Sequence, residues 1–285
     1  MTISETPAGP AGLPAIPVRN RRLRPTQRAR LIHIGSYVLA LLVVVALALK
    51  IDWSPLGKTF FNWQLFKAQF PKIVTIATRN TLALTFVSFV LSLALGLLIA
   101  VMKLSSLTPF RVFATGYVEI FRGLPLLVTL QIVGFGLPIA LGKQIPDLGF
   151  VVGAGVVALT LVYGAYMGES IRAGIEAVPK GQMEAARSLG MSRGRSMVSI
   201  VIPQAFRIVI PPLTNEFVAL IKDTSLVAVL GTTVATKELT KFGKDAAGDA
   251  FNSTPLIAAG VMYLVITIPL TRLVNQLEKR NRQSR

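Results

Sequence analysis

The sequence of 285 residues contains no cysteine and a single histidine, His33. Without thiols it has no disulfide, no thiolate nucleophile, no iron–sulfur cluster and no cysteine zinc site. One histidine beside a basic N-terminal stretch removes Ser-His catalytic arrangements, HExxH zinc sites and histidine proton relays, and leaves His33 as an interfacial side chain. Charge is scarce too. Asp, Glu, Lys and Arg make up 15% of the residues, where a soluble domain carries roughly 25%. Acidic residues are the scarcest, thirteen against thirty basic ones, for a formal charge of +17. There is no GxxxxGK[ST] segment to cradle nucleotide phosphates, and no His, Cys, Asp and Glu cluster at metal-ligand spacing. The sequence therefore predicts no catalytic residue, no metal and no cofactor held by this chain.

What is present is apolar: 52% of the residues are hydrophobic and the mean hydropathy is +0.61. With that excess, the positive charge points to a membrane flanked by basic loops and not to nucleic acid. A helix rises about 1.5 Å per residue and needs roughly 20 apolar residues to cross the hydrocarbon core. Four stretches between ionisable side chains are long enough: Asn80 to Met102, Gly123 to Gly142, Leu148 to Gly168 and Ala250 to Thr271. A fifth, Ile34 to Leu49, lies between Arg30 and Lys50, whose long side chains can snorkel. A sixth, from about Ile208 to Gly231, contains Glu216, Lys222 and Asp223, so it must pack against other helices or lie partly outside the bilayer. The expectation is an all-α integral membrane protein of about six transmembrane helices.

With six spans and a cytoplasmic N-terminus, nineteen Lys and Arg residues fall on cytoplasmic segments and eight on outer ones. The positive-inside rule then places both termini in the cytoplasm. Residues 1–30, rich in Pro, Gly and Arg, read as a disordered basic arm over anionic lipid headgroups. Residues 31–51 form an additional N-terminal span, residues 75–275 the main transmembrane domain, and residues 276–285 a basic cytoplasmic tail. Ala46-Leu47-Ala48 has the form of a signal-peptidase site, but the basic region before it is long for a signal peptide.

The longest polar segment inside the chain is the loop 173–207. Pro179-Lys180-Gly181-Gln182 is a turn signal, and the helix-forming run from Met183 to Leu189 stops at Gly190, suited to a left-handed C-terminal position. Ser192 stands where an N-cap belongs, and a second short helix from Arg193 to about Val201 is expected to end at Pro203. Spacing alone is equally compatible with a merely solvated amphipathic loop.

Glu184-Ala185-Ala186, then Gly190 three residues on, then Ile200-Val201-Ile202-Pro203 after nine more, resembles the EAA signature of permease subunits of ATP-binding-cassette importers. Thr81 to Thr85, Phe121-Arg122-Gly123-Leu124-Pro125-Leu126, Glu169-Ser170-Ile171-Arg172, Pro203-Gln204-Ala205, Asn215-Glu216 and Lys222-Asp223-Thr224-Ser225-Leu226 are similar to its polar amino-acid branch. The resemblance covers about residues 75 to 275. It departs at Leu124, where the branch often has Thr, at Thr214, where it often has Gly, and in the extra N-terminal span.

The resemblance implies a bacterial inner-membrane permease. Its coupling knob, Glu184, Ala185, Ala186, Gly190 and Pro203, docks on a dimer of separate ATPase subunits that bind the ATP. A second permease subunit, identical or a sister chain, completes the pathway, and an extracytoplasmic solute-binding protein delivers a polar amino acid. An amino acid presents an ammonium and a carboxylate, so its path needs polar groups of both signs. Thr214, Asn215, Glu216 and Glu169 are the pathway candidates. Arg122, Gly123, Pro125, Lys222, Asp223, Thr224 and Ser225 are the gate or structural ones, and Glu119 with Arg122 is expected to pair at i, i+3. Gly149, Gly153, Gly164 and Gly168 share one helical face and predict close helix packing. An ATP-independent secondary transporter would need an ion site at mid-bilayer, for which the long charge-free spans offer little. An intramembrane enzyme has only Ser225 with Lys222 to propose.

Overall fold

The computed structural model describes residues 25–283, so the first 24 residues of the predicted basic arm and the last two of the tail lie outside the described residues. Residues up to Ser54 and from Pro55 onward form two separate compact units. The first contains helix α1, Pro25–Lys50. Its described part opens at Pro25, inside the stretch expected to be an arm. Its side chains are exposed and apolar all round from Ile34 to Leu49, the pattern of a span surrounded by lipid.

The second unit is a helical bundle. Two short helices, α2 (Trp53–Phe60, whose first residues belong to the preceding unit) and α3 (Trp63–Ala68), lead through a π-helical turn, Ile73–Thr78, into α4 (Arg79–Leu104). Then come α5 (Thr108–Gly123) and an apolar arm made of α6 (Leu126–Gln131), a π turn and α7 (Leu137–Leu141). α8 is Gly153–Glu176, α9 Lys180–Ser188, α10 Arg193–Ser196, α11 Ile202–Asp223, α12 Leu239–Ala250 and α13 Thr254–Gln283. No strand occurs among the described residues. Five helical stretches are long and apolar enough to cross a membrane, and a sixth exists if the bent pair is counted as one span.

The span expected from Gly123 opens at a bend: α5 and the arm that begins at Leu126 meet at 103°. Pro125 forces its predecessor into extended backbone, and Leu124 has ψ 137°. Pro203 does not end the second short helix. A π turn, Met197–Val201, and the first-turn position of Pro203 in α11 carry the helix on from Arg193, so the fifth span begins well before Ile208. The expected tail is helical to Gln283. Gly149 lies outside α8 in a turn with φ +65°, so it takes no part in the glycine face.

The core sits where α4 and α8 cross. α4 turns a stripe of small residues inward, with Thr81, Thr85, Ser88, Ser92 and Gly96 all buried. A Cβ on Gly96 would stand 2.9 Å from the Gly168 backbone nitrogen and 3.1 Å from the Gly164 carbonyl oxygen. The glycines of α8 therefore serve packing inside this chain, where small residues let backbones approach. Leu84, Leu130, Leu159, Met167, Leu220 and Val227 fill the space beside this crossing. Lys103 Nζ bonds Glu169 at 2.6 Å and Arg172 bonds both Glu169 and Glu176, closing one end of the α4–α8 pair.

At the other end, buried Asn80 donates to the carbonyls of Ala235 (2.7 Å) and Lys237 (2.9 Å), and Thr81 accepts from the Leu239 N–H. Glu238, 1% exposed, caps α12 by accepting from the N–H groups of Thr240 and Lys241 at 2.6 Å, and accepts from the Tyr263 hydroxyl. Burial pushes its carboxyl above the usual carboxylate range, although hydrogen bonds from Thr240, Lys241 and Tyr263 favour the charged form. Nearby Asp245 goes the other way. Burial opposes its charge, yet Lys237 and Lys241, at 2.7 and 2.6 Å, hold it below the usual range.

Candidate functional site

Two features are built from the predicted residues: a cavity between spans and a knob at the end of α8. The cavity has a volume of about 250 Å³ and is lined by Leu124, Leu126, Val162, Tyr163, Tyr166, Glu216, Ala219 and Asp223. The break at Pro125 supplies Leu124 and Leu126, α8 supplies Val162 and the two tyrosines, and α11 supplies both carboxylates. Glu216 and Asp223 are seven residues apart, two helical turns, so they share a face. The Tyr163 hydroxyl donates to Asp223 Oδ2 at 2.8 Å. The Arg122 guanidinium lies 5.3 Å from the centre of the Tyr166 ring and within electrostatic reach of Glu216. The expected pair with Glu119 is not made. Arg122 stacks on α8 instead, because the bend after Gly123 turns the end of α5 toward that helix. The cavity wall thus combines two carboxylates and two aromatic rings, and the Arg122 cation stands beside it against the Tyr166 ring without lining it.

Other candidates fall elsewhere. Glu169 is committed to Lys103 and Arg172, a structural tie and not a cavity wall. Thr214 bonds back to the Ile210 carbonyl at 2.7 Å, and neither it nor exposed Asn215 lines the cavity. Lys222 is exposed; Thr224 is fully buried and donates to the Ile221 carbonyl at 2.6 Å where α11 gives way to a 3₁₀ turn, with Ser225 half-buried after it. Tyr163 and Tyr166 were not selected from the sequence. Their signal is a pair of hydroxyls inside an apolar span, each of which needs a partner.

The knob is α9, the turn at Gly190 and α10. Gly190 has φ +84°, the left-handed conformation its position predicts. The Gly190 N–H donates to Arg187 and the Met191 N–H to Ala186, satisfying carbonyls at the end of α9. Ser192 caps α10 by accepting from Arg195 N–H. Glu184 and Ala185 are exposed, but Ala186 is 5% exposed and packs inward, so the two alanines have different neighbours. Met183 seats the helix on Val178, Val201 and Ala205. Leu189 projects from the C-terminal end of α9, 85% exposed, with Pro203 also on the surface.

An all-helical, multi-span chain with a polar cavity between spans and a surface knob is a membrane transport subunit by its architecture. Residues 92–283 match the family described as binding-protein-dependent transport system inner membrane component, and the chain belongs to that family. It is 38% identical to the arginine transport system permease protein ArtQ of Bacillus subtilis over 218 residues, 75% of this chain and 96% of that one. It is 41% identical to the probable glutamine ABC transporter permease protein GlnM of the same organism, over 72% of this chain and 91% of that one. With the arginine transport system permease protein ArgU of Corynebacterium glutamicum the identity is 37%, over 86% of this chain and 79% of that one. Among solved structures, an amino acid ABC transporter matches with TM-score 0.69 and 36% identity, over 77% of this chain and 98% of that one. The MetNI methionine ABC transporter, at 18% identity and TM-score 0.62, shares the fold.

Proposed function

We propose that this chain forms one half of the transmembrane pathway of an importer for a polar amino acid, driven by ATP hydrolysed on separate subunits. The observation that carries the cargo class is the cavity. Glu216 and Asp223 line it and suit an ammonium, Arg122 beside it on the Tyr166 ring suits a carboxylate, and a volume of about 250 Å³ suits one amino acid. Relatives named for arginine and glutamine transport support it. One carboxylate is left in excess over Arg122, which favours a cationic side chain over an acidic one.

The knob is the ATPase dock, with Glu184 as its exposed charge, Leu189 as its apolar contact and Gly190 as the bend that orients them. Ala185 allows close approach of the partner, Ala186 packs inward to keep the knob seated, and exposed Pro203 stands at the start of α11 beside it. One chain contributes one cavity and one dock, so two permease halves work with an ATPase dimer. A solute-binding protein meets the opposite end, around α12. Both termini lie in the cytoplasm, on the side of the knob. Residues 75–275 act as the transport domain, and the N-terminal span adds an anchor to it.

A mild-detergent pull-down from native membranes tests the dock. The parent chain is expected to bring down a P-loop ATPase, and Glu184→Lys and Gly190→Pro to lose it while remaining folded. Uptake of labelled amino acids into vesicles loaded with ATP tests the cargo. Transport without ATP would refute the importer reading.

A further inference from the structure

The chain has two tryptophans, Trp53 and Trp63, and both stand just before the span that opens at Ile73. Asn62 caps α3 by accepting from the N–H groups of Gln64 and Leu65. Its own N–H donates to Thr254 Oγ1, Asn252 donates to the Lys58 carbonyl, and the Ser253 N–H donates to Thr59. The segment is therefore fixed to the start of α13, and Phe66 seats it on the core around Ile73 and Ala258. Yet its other face is bare. Phe61 is 75% exposed, Trp63 63% and Phe70 41%, and Phe251, in the turn that holds the segment, is 97% exposed.

Lysines interleave with these rings. Lys67 Nζ stands 5.0 Å over the Trp63 ring, which stacks on Phe66, and Lys58 and Lys72 are exposed on either side. No acidic residue falls between Asp52 and Asp147 apart from Glu119, although Lys72 also lines a cavity with Asp245 and Asp249 of α12. Rigidly held aromatics left in water would be an aggregation surface. The depth of the segment resolves this. It lies where the membrane-spanning chain begins, at the end of α4 opposite the knob, and runs directly into exposed apolar side chains of that span such as Leu82 and Phe86. Amphipathic rings settle at headgroup level, and lysine stems reach from there to phosphates.

We infer that the face made by Phe61, Trp63, Lys67 and Phe70 is an interfacial anchor, its rings set among the headgroups and its lysines 58, 67 and 72 taking the phosphate of an anionic phospholipid. The anchor holds the α3–α13 junction at a fixed depth, and with it the outer end of the cavity-bearing bundle. It depends on the chain lying in a membrane and not on the cargo or the ATPase.

Trp63 reports on its own surroundings. The full chain carrying Trp53→Phe is reconstituted into vesicles of zwitterionic and anionic phospholipid, with Trp53→Phe/Trp63→Phe as the blank. Lipid brominated near the headgroup end of its acyl chains is expected to quench Trp63 about twofold more than lipid brominated near the methyl end. Bromine carried on the anionic lipid is expected to report an enrichment of about fivefold over the zwitterionic lipid for each lysine in contact. Lys58→Glu/Lys67→Glu/Lys72→Glu should bring that ratio close to one. Quenching by aqueous iodide with none by bromolipid would overturn the anchor and leave the face open to a soluble protein. Stronger quenching from the methyl end would also overturn it, and an unchanged ratio in the lysine variant would overturn the phosphate contact. Because the depth measurement uses native lysines, it stands even if the triple variant fails to fold.

Discussion

Gly96→Ala tests whether the α4–α8 crossing is as tight as the geometry says. The added methyl would stand 2.9 Å from the Gly168 nitrogen and from Met167 Cβ, and 3.1 Å from the Gly164 oxygen. Two of these three atoms are backbone, which cannot turn away as a side chain can. Optimal contacts lie about 3.5–4.0 Å apart, so the helices must separate by roughly 0.5–1 Å and forfeit a quarter to a half of each dispersion contact. Overpacking of this kind costs about 1–3 kcal/mol, and the better helix propensity of alanine returns up to about 1. The net is a loss of up to about 2 kcal/mol. Gly116, inside α5 with open space at its Cβ, is the control. There alanine gains propensity and meets nothing, so it should stabilise by up to about 1 kcal/mol. At about 2–4 °C per kcal/mol, thermal unfolding of purified protein in detergent should move down by up to about 8 °C for Gly96→Ala and up by as much as about 2–4 °C for Gly116→Ala. A melting point for Gly96→Ala at or above that of the parent would refute the close approach. A double-mutant cycle sharpens the test: separated helices also stretch Lys103–Glu169, so Gly96→Ala and Glu169→Gln should destabilise by less together than the sum of the two.

Four more outcomes are expected. Glu169→Gln, which leaves both Lys103 and Arg172 without their shared carboxylate, should cost about 2–3 kcal/mol, against about 1 for Lys103→Gln, which leaves Glu169 its arginine; paired melting curves check the order. Because Glu238 has a raised folded-state pKa, its neutral form is favoured on folding, and stability falls as pH rises from the unfolded value through the folded one. Glu238→Gln should therefore flatten that part of the melting temperature's pH profile, while Asp245, held low, contributes stability that is lost only as pH falls through its own folded value. Glu216→Gln and Asp223→Asn should weaken uptake of a cationic amino acid at least tenfold, about 1.4 kcal/mol, and of a neutral one less, read by competition in vesicles. Leu189→Asp should release the ATPase in pull-downs without lowering the melting point, since that side chain touches little of its own subunit.

The spans were legible because ionisable residues punctuate the apolar runs, and the knob because Gly190 and Ser192 each admit one local role. What escaped depended on distance or on compensation. Gly123 and Pro125 mark the entry to the third span, but counting hydrophobic residues gives no angle for the break of 103° there. Pro203 looks like a stop, but a π turn just before it absorbs the misfit. The Tyr163–Asp223 contact joins residues sixty positions apart, and Lys103–Glu169 sixty-six, separations at which no periodicity operates. For the same reason Glu169 looked like a pathway group: a charge in a span demands a partner, and the sequence does not say whether that partner is a solute or a lysine. Ala186 illustrates the finer limit, since adjacent alanines in one motif face opposite ways.

The break at Pro125 also binds two quantities that a straight helix would keep independent. Leu124 and Leu126 flank the bend and are themselves walls of the cavity. Any change in the angle between α5 and the following arm therefore changes the room available to a solute in the same stroke. Under the proposed function, opening and eviction become one motion.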